Sequence, residues 1–274
     1  MATVTAADVN KLRQQTGAGM MDCRKALVES DGDFEKAVDY LRKKGQKVSA
    51  LRSDRETREG AVIAKTASDG KSGAIVCVSC ETDFVAKNQE FIDFAQAVTD
   101  LALASKPSGL EALLTSQLDG TPIQTRIDEL VAKIGEKITL SRYEQVSGEH
   151  VSSYIHGNYR IGVLVGFNQA ISAEDARNVA MQIAAMNPVA VDAASVPADV
   201  LAREREIAVE QVKAEGKPAE MAEKIAQGKV NKFLKESTLA GQAFVKDPNL
   251  TVADYLKSLS PELKVLGFKR VQLG

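Results

Sequence analysis

Thr82-Asp83-Phe84-Val85-Ala86-Lys87-Asn88 separates an apolar strand pattern from a long amphipathic helix pattern, and the rest of the chain is read around it. Upstream, Ala74-Ile75-Val76-Cys77-Val78 is rich in the β-branched residues that suit a buried strand. Downstream, Phe91, Phe94, Ala95, Val98, Leu101 and Ala102 recur at helical spacing, and Asn88 stands where the N-cap of that helix belongs. The stripe is complete without Phe84. A large aromatic therefore lies in the connection itself, outside both core patterns. From the residues alone it is a hydrophobic staple or a lid over the strand end.

The same unit, hairpin then helix, occurs twice. In the first, Ala61 to Lys65 and Gly73 to Cys80 flank the turn signal Asp69-Gly70-Lys71. In the second, His150 to His156 and Arg160 to Phe167 flank Gly157-Asn158, and a helix from Ser172 to Met186 follows. Between them the pattern gives helices near Gly109 to Ser116 and Gln124 to Ile134 and a strand from Lys137 to Val146. Two related α+β subdomains are expected, with helices covering one face of antiparallel strands.

Before these units, Thr5-Ala6-Ala7-Asp8 has the form of an acidic capping box and Gly17-Ala18-Gly19 of a tight turn. A second helix places Cys23, Ala26 and Leu27 on one face, and Asp33 caps a third with Phe34, Ala37, Val38 and Leu41. Three short helices of this pattern resemble a ubiquitin-associated domain. At most one of Met20 and Met21 can enter so small a core, so at least one should face solvent. The stretch from Arg42 to Gly60 is polar and basic, a partly helical linker and a solvated charge run without an aromatic to stack a base. Near the other end, Pro197 to Glu215 and Ala219 to Gln227 flank Gly216-Lys217-Pro218 and suggest a two-helix hairpin, with Val200, Leu201, Ile207, Ala208 and Val212 facing Met221 and Ile225. A further helix is expected over Gly228 to Gln242, and a last strand over Leu263 to Val271. The organisation expected is a three-helix domain over 1–45, a basic linker over 46–60, a first core subdomain over 61–147, and a second over 148–274 carrying the hairpin at about 197–227.

Composition limits the function. With 274 residues and 44% hydrophobic content the chain can bury several cores, and its net charge of −2 makes no electrostatic case for nucleic-acid or membrane binding. The N-terminus lacks a basic region followed by an apolar one, and no apolar run reaches the roughly 20 residues of a membrane span, so a cytoplasmic protein is expected. Cys23, Cys77 and Cys80 are too few and odd in number for a disulfide framework. Cys77 and Cys80 match a metal-binding spacing, with His150 and His156 as companions, but residues three apart on a strand face opposite sides, so packing is the expected role and no metal is expected, while a thiol or zinc enzyme centred on this pair stands as a rival reading. Gly70-Lys71-Ser72 lacks the glycine five positions earlier that a phosphate loop needs, since Lys65 stands there. No arrangement of catalytic residues is recognisable, and no cofactor is expected.

The string Thr82 to Asn88 after a strand, together with Thr16-Gly17-Ala18-Gly19-Met20-Met21-Asp22-Cys23-Arg24-Lys25-Ala26-Leu27 and the His156-Gly157 to Val165 hairpin, resembles the elongation factor Ts family of bacterial translation. The resemblance covers nearly the whole chain. It implies a guanine-nucleotide exchange factor for elongation factor Tu that makes and breaks no covalent bond. It implies that Thr82, Asp83, Phe84 and Val85 form the loop that disturbs the partner's magnesium and phosphate site. Met20 and Met21, and His156 and Gly157, would make further contacts to the partner. A rival reading keeps the N-terminal bundle as an adaptor for other helical or ubiquitin-like partners. Longer members of the family continue past a Gly-Phe-x-Arg strand into an extra helical module, whereas this chain stops at Gly274 soon after Gly267-Phe268-Lys269-Arg270.

Overall fold

The structure is a computed structural model that describes residues 4–215 and 219–274, with side chains not described over 219–222. It opens with three helices, α1 (Ala6–Thr16), α2 (Met20–Glu29) and α3 (Phe34–Leu51). Thr5 and Asp8 form the expected capping box, Gly17 ends α1 in the left-handed region at φ +68°, and Asp33 accepts from Lys36 N at the start of α3. The small core is closed by Val9, Leu12, Cys23, Ala26, Leu27 and Ala37. Helix α3 runs on to Leu51, into the stretch read as linker, because it lies on a helix of the next unit, where Gly45 sits against the Asp128 carbonyl and Val48 meets the first sheet's core.

Next come β1 (Glu59–Thr66), β2 (Ser72–Cys80), the one-turn helix α4 (Asp83–Ala86), α5 (Gln89–Ser105) and α6 (Leu110–Thr115). The short pair β3 (Gln117–Leu118) and β4 (Thr121–Pro122) precedes α7 (Ile123–Ile134) and β5 (Ile138–Ser147). The second unit holds β6 (His150–His156), β7 (Ile161–Phe167), α8 (Ala173–Met186), α9 (Ala198–Ala214) and α10 (Ala219–Ser237). The short strands β8 (Ala243–Phe244) and β9 (Asp247–Thr251), then α11 (Val252–Leu259) and β10 (Val265–Gln272), complete it. The fold is α+β, with an N-terminal helical bundle followed by antiparallel sheets in the orders β1-β2-β5 and β10-β7-β6.

Each sheet carries its helices on one face, as expected. In the first, Ile63, Val76, Val78 and Cys80 pack under Phe91, Ala95 and Val98 of α5 and Ile127 and Val131 of α7. In the second, Val163, Val165 and Phe167 pack under Val179, Ala180 and Ile183 of α8. The remaining faces meet each other, so that Val62, Ile75 and Cys77 of one sheet bury Val151, Leu164 and Val271 of the other. A fully buried aliphatic side chain contributes about 1.5–3 kcal/mol, so this apolar seam is a large part of what joins the two units. It also explains why β2 reads as an unbroken apolar run, since both its faces are covered. The sheets approach so closely at Gly162 that a Cβ there would lie 2.6 Å from Val62 Cγ1.

Helices α9 and α10 pair through Ala208, Ala226 and Val230, flanked by Leu201 and Leu234, with ion pairs Arg205–Glu223 and Lys229–Glu215 on the outside. Of the residues expected at this seam, Ala208 and Val212 are buried, while Ile207 is exposed. The turn at Gly216-Lys217-Pro218 and the Met221 side chain lie outside the described residues. One expectation is corrected: no new helix begins at Gly228, because α10 passes through it to Ser237. A mid-helix glycine costs about 1 kcal/mol relative to alanine, and pairing along α9 outweighs it. Among the described residues the hairpin cluster shares none with either sheet core. Replacing 201–232 by a short Gly linker should therefore leave both sheets folded, with a denaturant midpoint close to that of the intact chain. Loss of the cooperative transition would show that the hairpin supports the core.

Candidate functional site

Strand β2 ends at Cys80, whose buried thiol is pushed up to about 12 by burial and, further, by the charges of Glu136 and Glu59. It is a packing thiol that donates to the Thr82 carbonyl at 3.2 Å. Cys77 points into the seam between the sheets and Cys80 into the helix-covered core, so one metal could not collect both. Thr82 then adopts extended geometry (φ −121°, ψ 156°) and caps α4, its hydroxyl accepting from Val85 N at 3.5 Å. Lys87 N donates to Asp83 O at 3.1 Å and Asn88 N to Val85 O at 3.0 Å. Asn88 caps the next helix by accepting from Glu90 N at 2.9 Å. The stretch expected as a loop is thus one helical turn between two capped starts.

That turn sorts its side chains. Val85 and Ala86 rest on the first sheet's core, while Phe84 is 83% exposed and packs in no core cluster. The staple and lid readings both require a covered ring, so neither describes Phe84. Asp83 is paired with Lys87 at 2.6 Å, and this hydrogen bond and charge, with the Asp83 and Phe84 amides at the start of the turn, hold its carboxyl below the usual range. Phe94, placed by its spacing in the buried stripe, is only half-buried and borders the crevice toward the N-terminal bundle, and Phe91 is the wholly buried aromatic of α5.

Met20 and Met21 are both exposed, at 57% and 75%, so neither takes the one place that the small core could have offered. They begin α2, and Cys23, one turn on, takes the space beneath. His156 ends β6 with Nδ1 3.0 Å from the Tyr154 hydroxyl. After it Gly157, Asn158 and Tyr159 have φ of +64°, +53° and +67°, a run of left-handed residues uncommon outside glycine. Tyr159 is held there from below: its ring rests on the first core and its carbonyl accepts from Val62 N at 2.8 Å.

The start of β1 brings two of these features together. Glu59 lies opposite Cys80 in the ladder and pairs with Arg160 at 2.9 Å, so the His156–Gly157 turn and the Phe84 turn flank one end of the first sheet. The Gly17 turn is tied in separately, against Lys133, whose Nζ reaches Glu90 in the first turn of α5 at 2.6 Å. Sequence reading missed the residues that brace the Phe84 turn. Glu136 takes the Thr82 N–H at 3.0 Å and hydroxyl at 2.6 Å, and Glu81, held below the usual range chiefly by the Lys137 N–H, pairs with Arg55. Thr82 and Glu136 are 54 positions apart, and no local pattern links them.

Among the described residues no group of three or more His, Cys, Asp or Glu could hold a metal ion, and no helix is long and apolar enough to cross a membrane. Fold and surface define a class: a two-sheet α+β protein with an N-terminal helical bundle that exposes the apolar side chains Phe84, Met20 and Met21. Comparison with known proteins gives the family. Residues 81–274 match the family described as Elongation factor TS. Elongation factor Ts of Amoebophilus asiaticus is 52% identical over 275 residues, 99% of each chain, and that of Flavobacterium psychrophilum is 50% identical over 276 residues, 100% of each. Elongation factor Ts of Alkalilimnicola ehrlichii is 46% identical over 273 residues, 99% of this chain and 92% of its own. This chain belongs to the elongation factor Ts family, and is an elongation factor of protein biosynthesis with a nucleotide-exchange role.

Proposed function

We propose that the protein is the guanine-nucleotide exchange factor of elongation factor Tu, acting in the cytoplasm, and that the turn Thr82 to Val85 carries the exchange. The observation behind this reading is the exposure of Phe84 on a turn whose next residues, Val85 and Ala86, rest on the first sheet's core. A GTPase holds GDP through backbone amides, a lysine and a magnesium ion that offsets phosphate charge. Phe84 entering beside that site displaces an element that supports the magnesium, and its burial supplies about 1.5–3 kcal/mol to offset the distortion. Asp83 exchanges Lys87 for amides or hydroxyls of the partner, or repels the nearby phosphate. Met20 and Met21 give an adaptable apolar contact, and His156 with Gly157 a second contact on the partner. No covalent bond changes, so the protein is not an enzyme in the chemical sense. By linkage, bound GDP weakens the factor's grip by the same factor by which the factor weakens GDP.

Release of labelled GDP from elongation factor Tu is the direct test. Addition of this protein should accelerate it by tenfold or more, the effect of about 1.4 kcal/mol at the barrier. Excess magnesium should reduce the acceleration, and the protein alone should bind no GDP. An unchanged release rate across a wide range of factor concentration would end this reading.

A further inference from the structure

The turn that presents Phe84 is too short to hold its own direction. A helix of four residues is far below the length at which a helix persists in water, and the one capping bond from Thr82 is long, at 3.5 Å. Beyond the seat of Val85 and Ala86 on the first sheet's core, its direction is held by a clasp across the end of that sheet. Glu136 follows Gly135, the left-handed residue that ends α7, and its carboxylate accepts from both the N–H and the hydroxyl of Thr82, at 3.0 and 2.6 Å. The neighbouring pair reciprocates: Lys137 N donates to Glu81 Oε1 at 2.6 Å. Lys137 Nζ donates to the carbonyls of Ser53 and Arg55, and Arg55 closes the ring by donating to Glu81 at 3.0 Å. Residues 81–82 and 136–137 are thus joined in both directions by bonds to charged groups, which are roughly twice as strong as neutral ones.

Resting on the exchange reading above, we infer that Glu136 is a positioning residue for nucleotide release. It fixes Thr82 from two sides, so that Asp83 and Phe84 meet the partner at a set angle. It thereby contributes to the rate of release from the docked complex, whereas the wider contact surface sets how tightly the factor docks. A positioned group moved by about 1 Å can lose a hundredfold in rate.

The test is GDP release from elongation factor Tu titrated with Glu136→Ala, Glu136→Gln, Thr82→Val and Phe84→Ala, beside denaturant midpoints for each. Glu136→Ala should lower the maximal rate at saturating factor about tenfold, while the half-saturating concentration moves less than about threefold. Glu136→Gln, whose amide can accept from the N–H and donate to the hydroxyl, should restore most of the rate. Glu136→Ala combined with Thr82→Val should lose less than the two single effects together, because the hydroxyl–carboxylate bond is removed by both, although Glu136→Ala also frees the Thr82 N–H and Thr82→Val also removes the cap on Val85 N. A maximal rate unchanged by Glu136→Ala beside a slow Phe84→Ala overturns the clasp and leaves the exchange reading standing. Unchanged rates for both overturn the two together. If Glu136→Ala fails to fold, Glu136→Asp decides, since it keeps the charge and withdraws the carboxylate by one methylene. A folded Glu136→Asp with a full maximal rate would refute the inference.

Discussion

Phe84→Ala should slow factor-stimulated GDP release by about ten- to a hundredfold, the rate equivalent of losing roughly 1.5–3 kcal/mol of burial made only against the partner. Its own fold should be nearly untouched. The ring is 83% exposed, and surface substitutions away from caps and cores stay within about 0.5 kcal/mol. Phe91→Ala is the comparison. That ring is wholly buried among Ile63, Val76 and Val98, so its loss should cost about 3–5 kcal/mol of stability. Phe94→Ala, on the half-buried side of the same helix, should fall between the two. The pair of measurements is a denaturant midpoint and an exchange rate. Phe84→Ala that unfolds as easily as Phe91→Ala, or that exchanges like the unmodified protein, would place the ring's role elsewhere.

The second large effect is expected in the backbone beneath that turn. Gly60 has φ +152°, and a Cβ there would fall 2.2 Å from the Val78 carbonyl oxygen and 2.8 Å from Ser79 Cα. Neither neighbour can retreat, because β2 is the central strand, bonded to β1 on one edge and β5 on the other. Overpacking costs about 1–3 kcal/mol and a sparsely populated backbone about 1–3 more, so Gly60→Ala should lose about 2–6 kcal/mol. Gly267→Ala is the control. Its Cβ would meet nothing within 4 Å, and its midpoint should stay within about 0.5 kcal/mol of the unmodified protein. Equal midpoints for the two variants would mean that the first sheet is looser at Gly60 than its register implies. Any exchange defect in Gly60→Ala should track its loss of folded protein, unlike that of Phe84→Ala.

Sequence alone determined the features whose cause is local. Thr5 with Asp8, Asp33 and Asn88 cap the helices read from them, since a cap needs only a side chain two or three residues from the amide it satisfies. The period of two in the hairpins and of 3.6 in α5 and α8 likewise follows from the chain itself. Phe84 stood out because it fits neither period. Tertiary structure decided whatever depends on residues far apart. Met20 and Met21 are both outside because Cys23 and Leu27 already fill the bundle. Phe91 rather than Phe94 is innermost because α5 is rotated to suit Ile63 and Val76. Gly228 sits inside a helix because α9 pairs alongside, and the sheets join face to face because Gly162 leaves room for Val62. Glu136 shows the limit most clearly. As a lone acidic residue after a glycine it carries no signal of its own, and only the folding of β5 against β2 brings its carboxylate to Thr82 and gives the exposed turn a fixed direction.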